Sequence, residues 1–150
     1  MAESRVKAID VAVANDRSVG VASPERRGVG MLDHELQRAE GLLVIRPRGP
    51  LQADDFRSLA AVVDPYVEAN GNLRGLMIEA SSFPGWDSFA AFISHVRFVR
   101  DHHRIIRKIA AVSDSPILSI APHLAKHFVS AEIRHFSASE RSAALAWLLQ

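Results

Sequence analysis

The stretch that most constrains the fold is residues 73–114, where two aliphatic runs flank a segment with helical periodicity. The runs are residues 73–80 (LRGLMIEA) and 109–112 (IAAV). Short runs of this kind predict buried strands, and the pattern between them predicts a helix. Crossovers between parallel strands are right-handed in nearly all proteins. The sequence therefore predicts an α/β fold built on a βαβ core.

The composition indicates one domain without covalent cross-links. The chain has 150 residues, 48% of them hydrophobic and none of them cysteine, which excludes disulfides, thiolate metal sites and cysteine nucleophiles. The formal net charge of +1 argues against a global attraction to nucleic acid, and we expect no nucleic-acid partner. No apolar run reaches the roughly 18 residues of a membrane span. We expect a cytoplasmic protein without a cofactor.

The first thirty residues differ from the rest of the chain. They mix both signs of charge with glycine and carry only a weak apolar run near Val11 and Val13. This composition predicts a poorly ordered tail, followed by one domain at residues 31–150. Met31 stands where the organised pattern begins, so one hypothesis is that translation starts there.

The segment before the βαβ unit predicts a hairpin and a helix. Strands are expected at residues 31–36 and 42–48, and the helix has its N-terminal cap at Asp54 or in the turn 52–55. Pro65 removes a backbone donor, which predicts a kink or a restart of the helix at that point. The helix is expected to stop at Gly71.

The helix of the βαβ unit is expected to begin near Trp86, after a loop at residues 80–85. Ligands of open α/β sheets gather beyond the carboxyl ends of strands, so this loop is the first place to look for a site. One set of apolar side chains recurs at helical spacing and predicts core packing. These side chains are Phe89, Phe92, Ile93, Val96 and Val99.

The end of the chain predicts a capped helix, a strand and a final helix. Pro116 suits the first turn of the capped helix, and residues 131–136 predict the strand. Ser137 and Glu140 have the spacing of a capping box. The expected buried face of the final helix is Ala144, Trp147 and Leu148.

Several motifs occur in a fixed order between residue 31 and the C-terminus. They are Gly49-Pro50-Leu51, Asp54-Asp55-Phe56, Pro65, Leu76-Met77-Ile78-Glu79, Phe83, Gly85-Trp86-Asp87, Ala90, RKIAAVSD at 107–114, EIRHF at 132–136, Ala144, Trp147 and Leu148. This series resembles the SpoIIAA-like proteins, a STAS/Sec14-related bacterial family. The resemblance implies a STAS-like mixed β-sheet with helices packed on it. It also implies a non-enzymatic regulatory domain that contacts a protein partner or itself, as a homodimer.

The resemblance also points to the turn after the central strand. Anti-sigma-factor antagonists of the STAS class are phosphorylated on a serine at such a turn, and Ser81 and Ser82 stand at the matching place. The following Phe83 departs from the Asp-Ser-Ser/Thr-Gly pattern of those proteins. Loop and capping hydrogen bonds are the other interpretation of the two serines.

The candidate binding residues surround this turn. Gly85 suits a tight chain entry, Asp87 suits the first turn of a helix, and Trp86 offers a large surface with one donor. A structural anchor and a ligand contact both fit Trp86. The full candidate set is Ser81, Ser82, Phe83, Gly85, Trp86, Asp87, Phe89 and Phe92.

A second candidate feature is a basic segment near the end of the same helix. Arg97, Arg100 and Arg104 are opposed there only by Asp101. Favourable interaction with the helix dipole explains such a cluster, and an anionic partner is the functional alternative. His95 and His102 lie two helical turns apart, which is too far for the usual ligation of one metal ion.

No catalytic motif accompanies these features. The Gly-x-Ser-x-Gly elbow, the phosphate-binding loop and the dinucleotide fingerprint are all missing from the sequence. We therefore expect a binding domain rather than an enzyme. The alternative is a carrier of a lipid or another small apolar or anionic ligand, held in a Sec14-like pocket near Trp86, Phe89, Phe92 and Phe98.

Overall fold

A six-stranded mixed sheet in the order β1-β2-β3-β4-β5-β6 forms the centre of the molecule. The computed structural model describes residues 25–27, 30–82, 85, 89–102, 104–116 and 130–150, with backbone alone at 25–27, 89, 90, 92 and 93. The strands are β1 Glu25–Arg27, β2 Leu32–Gln37, β3 Leu42–Pro47, β4 Leu73–Glu79, β5 Ile106–Val112 and β6 Glu132–Phe136. The helices are α1 Ala53–Asn70, α2 Phe89–His102 and α3 Arg141–Leu148.

The sheet changes from antiparallel to parallel at β3. β1, β2 and β3 pair antiparallel, whereas β3, β4, β5 and β6 pair parallel. β4 and β5 are the two strands of the predicted βαβ unit and α2 is its crossover helix, so the α/β class and the βαβ core are confirmed. β5 begins at Ile106, three positions before the aliphatic run that predicted it.

The first turn of α1 is fixed by the carboxylate of Asp55. Oδ2 accepts a hydrogen bond from the Gln52 amide at 2.7 Å, and Oδ1 accepts one from the Met31 amide at 2.9 Å. Asp55 is buried, whereas the two residues that donate to it are exposed. The N-cap residue is Gln52, so the cap expected in the turn 52–55 is confirmed and the alternative cap at Asp54 is wrong. The side chain of Asp55 also holds α1 against the start of β2.

The restart predicted at Pro65 is wrong, because α1 is one helix from Ala53 to Asn70. Val63 and Tyr66, on either side of the proline, are buried in the core. Their burial offsets the one hydrogen bond that the proline cannot donate. The helix ends as predicted at Gly71, which has φ 86° and donates its amide hydrogen to the Val67 carbonyl at 2.7 Å.

Two separate cores lie on the two faces of the sheet. The core under α1 and α2 contains Leu32, Leu36, Leu43, Leu51, Phe56, Leu59, Val62, Val63, Tyr66, Leu73, Leu76 and Ile106. The core under α3 contains Leu42, Val44, Met77, Ala110, Val112, Ala144, Trp147 and Leu148.

The predicted buried face of the final helix is thus confirmed. Its capping box is also confirmed, because Glu140 accepts a hydrogen bond from the Ser137 amide at 2.8 Å.

In the described part of α2, the contacts with α1 come from His95, Phe98 and His102, none of which belongs to the predicted stripe. The side chains of Phe89, Phe92 and Ile93, which do belong to it, lie outside the described residues. Val96 is 50% exposed, so its assignment to the core is wrong. Ala91 and His102 are buried instead, and Phe98 lies 6.2 Å from Phe56 between ring centroids. The stripe through positions 91, 95, 98 and 102 contains two histidines, which hides it in a hydrophobicity pattern.

Three residues of the segment predicted to be a tail, Glu25–Arg27, form β1 beside β2. The start of the domain at residue 31 stays a prediction. The capped helix expected from Pro116 onward falls on positions outside the described residues.

Candidate functional site

The four parallel strands β3 to β6 all end at one edge of the sheet, called here the carboxyl edge. Backbone hydrogen bonds continue the pairing just past the strand ends: the Ala80 amide donates to Val112 at 3.1 Å, and the Ser113 amide donates to Phe136 at 2.9 Å. The chain segments after β4, β5 and β6 are therefore held side by side. In open α/β sheets this is the edge where ligands bind.

Ser81 and Ser82 lie at this edge, directly after buried Ala80, and both are exposed. Within the described parts of the chain, neither hydroxyl makes a hydrogen bond. The two hydroxyl groups therefore face solvent and are accessible to another molecule.

Glu79, the last residue of β4, joins two arginines from different elements. Its Oε2 accepts from Arg46 Nε at 2.6 Å, and its Oε1 accepts from Arg141 Nε at 2.5 Å. Arg46 also reaches Glu35 at 3.4 Å. This network links β2, β3, β4 and α3 immediately before the serine turn.

The network changes the acid–base behaviour of Arg46. Burial alone would lower the pKa of this guanidinium, but the hydrogen bond and charge of Glu79, together with Glu35, outweigh burial and raise the pKa. Arg46 therefore remains a permanent cation. Sequence reasoning missed this group because it depends on strand register: Ile45 pairs with Ile78, so the next residues, Arg46 and Glu79, are neighbours.

The far end of the carboxyl edge is closed by internal hydrogen bonds. His135 donates from Nε2 to the Ser113 carbonyl at 2.6 Å, and the Ala138 amide donates to Asp114 Oδ1 at 2.8 Å. The Ser113 hydroxyl is buried and accepts from the Ser115 amide at 3.0 Å. These groups hold β5, β6 and the turn before α3 together.

Gly85 belongs to the same region. Its φ of 70° lies in the left-handed range that favours glycine, and its carbonyl accepts from the Leu51 amide at 3.0 Å. The loop after β4 is thereby joined to the segment before α1. Phe83, Trp86 and Asp87 lie outside the described residues, as do the side chains of Phe89 and Phe92.

The predicted basic residues Arg97, Arg100 and Arg104 are all exposed. Arg100 pairs with its neighbour Asp101 at 3.0 Å. Because α2 crosses from the end of β4 to the start of β5, its C-terminal end lies at the opposite edge of the sheet. The structure therefore separates the arginine group from the serine turn.

The two histidines of α2 contact aromatic rings. His95 stacks on Phe56 with centroids 5.0 Å apart, and burial lowers the pKa of this imidazole. His102 stacks on Phe98 with centroids 4.1 Å apart. Across the described parts of the chain, no group of three or more histidine, aspartate or glutamate side chains could hold a metal ion.

Comparison with known proteins matches these observations to one family. The sequence profile described as SpoIIAA-like matches residues 42–149. No curated protein matches the sequence. No helix in the described part of the chain has the length and apolar character needed to cross a membrane.

A solved structure shares the fold. It is the crystal structure of an uncharacterized protein of the DUF3478 family with a SpoIIAA-like fold, from Shewanella loihica PV-4. The two chains superpose with a TM-score of 0.63 and are 17% identical, over 81% of this chain and 97% of the other. At this identity the likeness shows the fold alone.

Proposed function

Because the chain belongs to the SpoIIAA-like family, we propose that it is a non-enzymatic regulatory domain that contacts a protein partner at the carboxyl edge, in the cytoplasm. The observation that carries this proposal is the exposed pair Ser81 and Ser82 immediately after Glu79. Glu79 accepts hydrogen bonds from Arg46 and Arg141, so the strand end immediately before the turn is held in place by charged contacts. A preformed base of this kind lowers the ordering cost of binding.

Phosphorylation of Ser81 or Ser82 is the switch that we propose for this contact. A phosphoserine adds about −1.5 to −2 charges and three strong acceptor oxygens. Placed two or three residues after Glu79, it competes with that carboxylate for the guanidinium groups of Arg46 and Arg141. The chemical consequence is a change in both charge and shape at the partner surface.

The experiment compares partner recovery by matched variants of the full chain. The Ser81→Glu/Ser82→Glu variant and the Ser81→Ala/Ser82→Ala variant are each used to capture proteins from the native host. Ser58→Glu is the control, because Ser58 is an exposed serine that lies on α1 and not in the serine turn. Intact mass of the natively expressed protein reports the phosphate directly.

A partner that the wild type, the alanine variant and Ser58→Glu recover, and that the double-glutamate variant loses, supports the proposal. Equal recovery by all four proteins contradicts it. The subunit count in native mass spectrometry distinguishes contact with a second copy of the chain from contact with another protein.

A second candidate function, carriage of a small ligand, rests on the buried side chain of His34. On β2 this residue lies between Leu32 and Leu36 on the same face of the strand, and both leucines belong to the core under α1 and α2. Its Nε2 atom is buried and has no hydrogen-bond partner among the described residues. An unpaired buried polar atom costs about 1–3 kcal/mol, and a polar atom of a bound ligand would remove that cost.

Native mass spectrometry tests the carrier function. A ligand appears as added mass that is lost on denaturation, and replacement of His34 by Leu is expected to remove it. A wild-type spectrum with no added mass contradicts the carrier function and leaves the protein-contact function unaffected.

A further inference from the structure

Two arginines stand side by side where β4 and β5 begin. Leu73 pairs with Ile106 and Gly75 with Lys108, so Arg74 and Arg107 are direct neighbours on parallel strands. Both residues are exposed. Like charges at neighbouring strand positions destabilise a sheet, so folding alone does not account for this pair.

α2 brings more arginines to the same edge. Arg97 and Arg100 lie three residues apart on the exposed side of α2, and exposed Arg104 lies in the turn between α2 and β5. The Leu73 amide donates to the Ile105 carbonyl at 2.8 Å. This bond joins the turn that carries Arg104 to the strand that carries Arg74.

These positive charges are poorly compensated. In the described parts of the chain only Arg100 forms an ion pair, with Asp101, and the other four arginines form none. The helix dipole favours cations in the last turn of α2, which accounts for Arg100 but not for Arg104, which lies beyond the helix. It does not account for Arg97, which precedes that turn, or for the two arginines on strands.

We propose that Arg74, Arg97, Arg100, Arg104 and Arg107, called the arginine edge, dock an acidic segment of a protein partner. This inference rests on the proposed function, in which the domain works through protein contacts, and adds a second contact surface at the opposite edge of the sheet. The recognised chemistry is a series of carboxylates. Every member is arginine, whose planar fork binds a carboxylate through two parallel hydrogen bonds.

Two features favour a protein segment over a nucleic acid or a membrane. The net charge of +1 gives the chain no long-range attraction for a polyanion. A membrane surface would require apolar side chains to enter the headgroup region, and among the described side chains of α2 only Val96 is large, hydrophobic and strongly exposed. An acidic segment needs only the local charges.

The test is fluorescence anisotropy of the full chain with a short labelled peptide in which glutamate alternates with glycine and serine. A glutamine version of the peptide is the control ligand. The arginine variant carries Arg74→Gln, Arg97→Gln, Arg104→Gln and Arg107→Gln. The control variant is Arg57→Gln, which removes an exposed arginine on α1 whose side chain is 77% exposed.

The wild type and Arg57→Gln are expected to bind the glutamate peptide at least about tenfold more tightly than the arginine variant, and added salt weakens this binding. The free arginine variant is expected to melt at or above the wild-type temperature, because repulsion between Arg74 and Arg107 is removed. A melting temperature at or above the wild-type value shows that the arginine variant is folded, so its weaker peptide binding does not result from unfolding.

Equal binding by the arginine variant, or no preference for glutamate over glutamine, overturns the inference. The inference is also overturned if the wild type does not bind the glutamate peptide but binds a single-stranded oligonucleotide or phosphatidylserine vesicles. A native partner that depends on Ser81 and Ser82 but not on the arginines overturns this inference and leaves the proposed function standing. A native partner that depends on the arginines but not on Ser81 and Ser82 supports this inference and contradicts the proposed contact at the carboxyl edge.

Discussion

The imidazole of His102, at the end of α2, lies with Nε2 2.6 Å from Oδ1 of Asp64 in α1. Its other nitrogen, Nδ1, lies 2.8 Å from the carbonyl oxygen of Phe98. Both neighbours are hydrogen-bond acceptors, so the imidazole bridges an oxygen atom of α1 and an oxygen atom of its own helix. The pair is a polar link between α1 and α2, beside the ring contacts of Phe56 with His95 and Phe98.

Replacement of Asp64 by Ala is expected to destabilise the domain by about 1–2 kcal/mol. The expected loss lies in the lower part of the range for a charged hydrogen bond, because the Asp64 side chain is 53% exposed and solvent screens the pair. Urea unfolding followed by circular dichroism measures the change. Glu68→Ala, an exposed carboxylate on the same helix, is the control, and an equal loss there would contradict the role of the pair.

Replacement of Glu79 by Ala is expected to cost more, about 2–3 kcal/mol. The Glu79 side chain is 18% exposed, and its removal leaves Arg46 and Arg141 without their shared acceptor. Denaturant unfolding gives the magnitude. Asp54→Ala breaks the exposed pair with Arg57 and should change stability by less than about 0.5 kcal/mol.

A double-mutant cycle between Glu79→Ala and Arg141→Ala tests the same network. Coupling is expected, so the double variant should lose less stability than the two single losses combined. Additive losses would mean that the hydrogen bond between Arg141 and Glu79 makes no measurable contribution to the free energy of unfolding.

The desolvated imidazole of His95 makes stability depend on pH. Burial lowers its folded-state pKa below the ordinary value of 6.5, so between these two values the unfolded chain binds more protons than the folded one. This contribution to stability is fully present above pH 6.5 and is lost as the pH falls through the folded-state pKa.

His95→Phe, which retains a ring on Phe56, is expected to reduce the fall in unfolding free energy between about pH 7.5 and pH 5. One proton per molecule corresponds to about 1.4 kcal/mol per pH unit, which bounds the difference between the two proteins. The remaining histidines are present in both proteins, so the difference in slope reports His95. Parallel curves would contradict the assignment.

Replacement of Gly75 by Ala is expected to destabilise the domain by about 1–3 kcal/mol through overpacking. The added methyl carbon would lie 2.8 Å from Leu148 Cδ2 and 3.0 Å from Leu42 Cδ2. Thermal unfolding measures the loss. Leu148→Val introduced into the Gly75→Ala variant should recover part of the stability, whereas a further loss would show that α3 does not approach β4 this closely.

Local patterns were enough to predict the βαβ core, the capping box at Ser137 and the stop at Gly71. Each depends on residues close in sequence. The start of β5 is harder to predict from the sequence, because exposed Arg107 and half-buried Lys108 interrupt the apolar run. Lys108 belongs in the strand because its amine donates to the Trp147 carbonyl at 3.0 Å, a contact that no local pattern reveals.

Other features depend on tertiary structure. The buried stripe of α2 includes histidines because Phe56 of α1 supplies a ring for one of them and Asp64 supplies an acceptor for the other. The Glu79 network requires the register of β3 against β4 together with the position of α3. For the candidate site, the strand-end rule and the family resemblance both indicated the serine turn. Arg46 and Arg141 could be placed beside Glu79 only from the strand register and the position of α3.

The shared carboxylate of Asp55 makes two distant parts of the chain one cooperative unit. It accepts from Gln52 locally and from Met31 across 24 residues, so a movement of this one side chain releases both the cap of α1 and the start of β2. Local opening reactions of a protein involve such units as a whole. The amide hydrogens of Met31 and Gln52 should therefore exchange with solvent in a single opening event, although one lies at the end of a strand and the other before a helix.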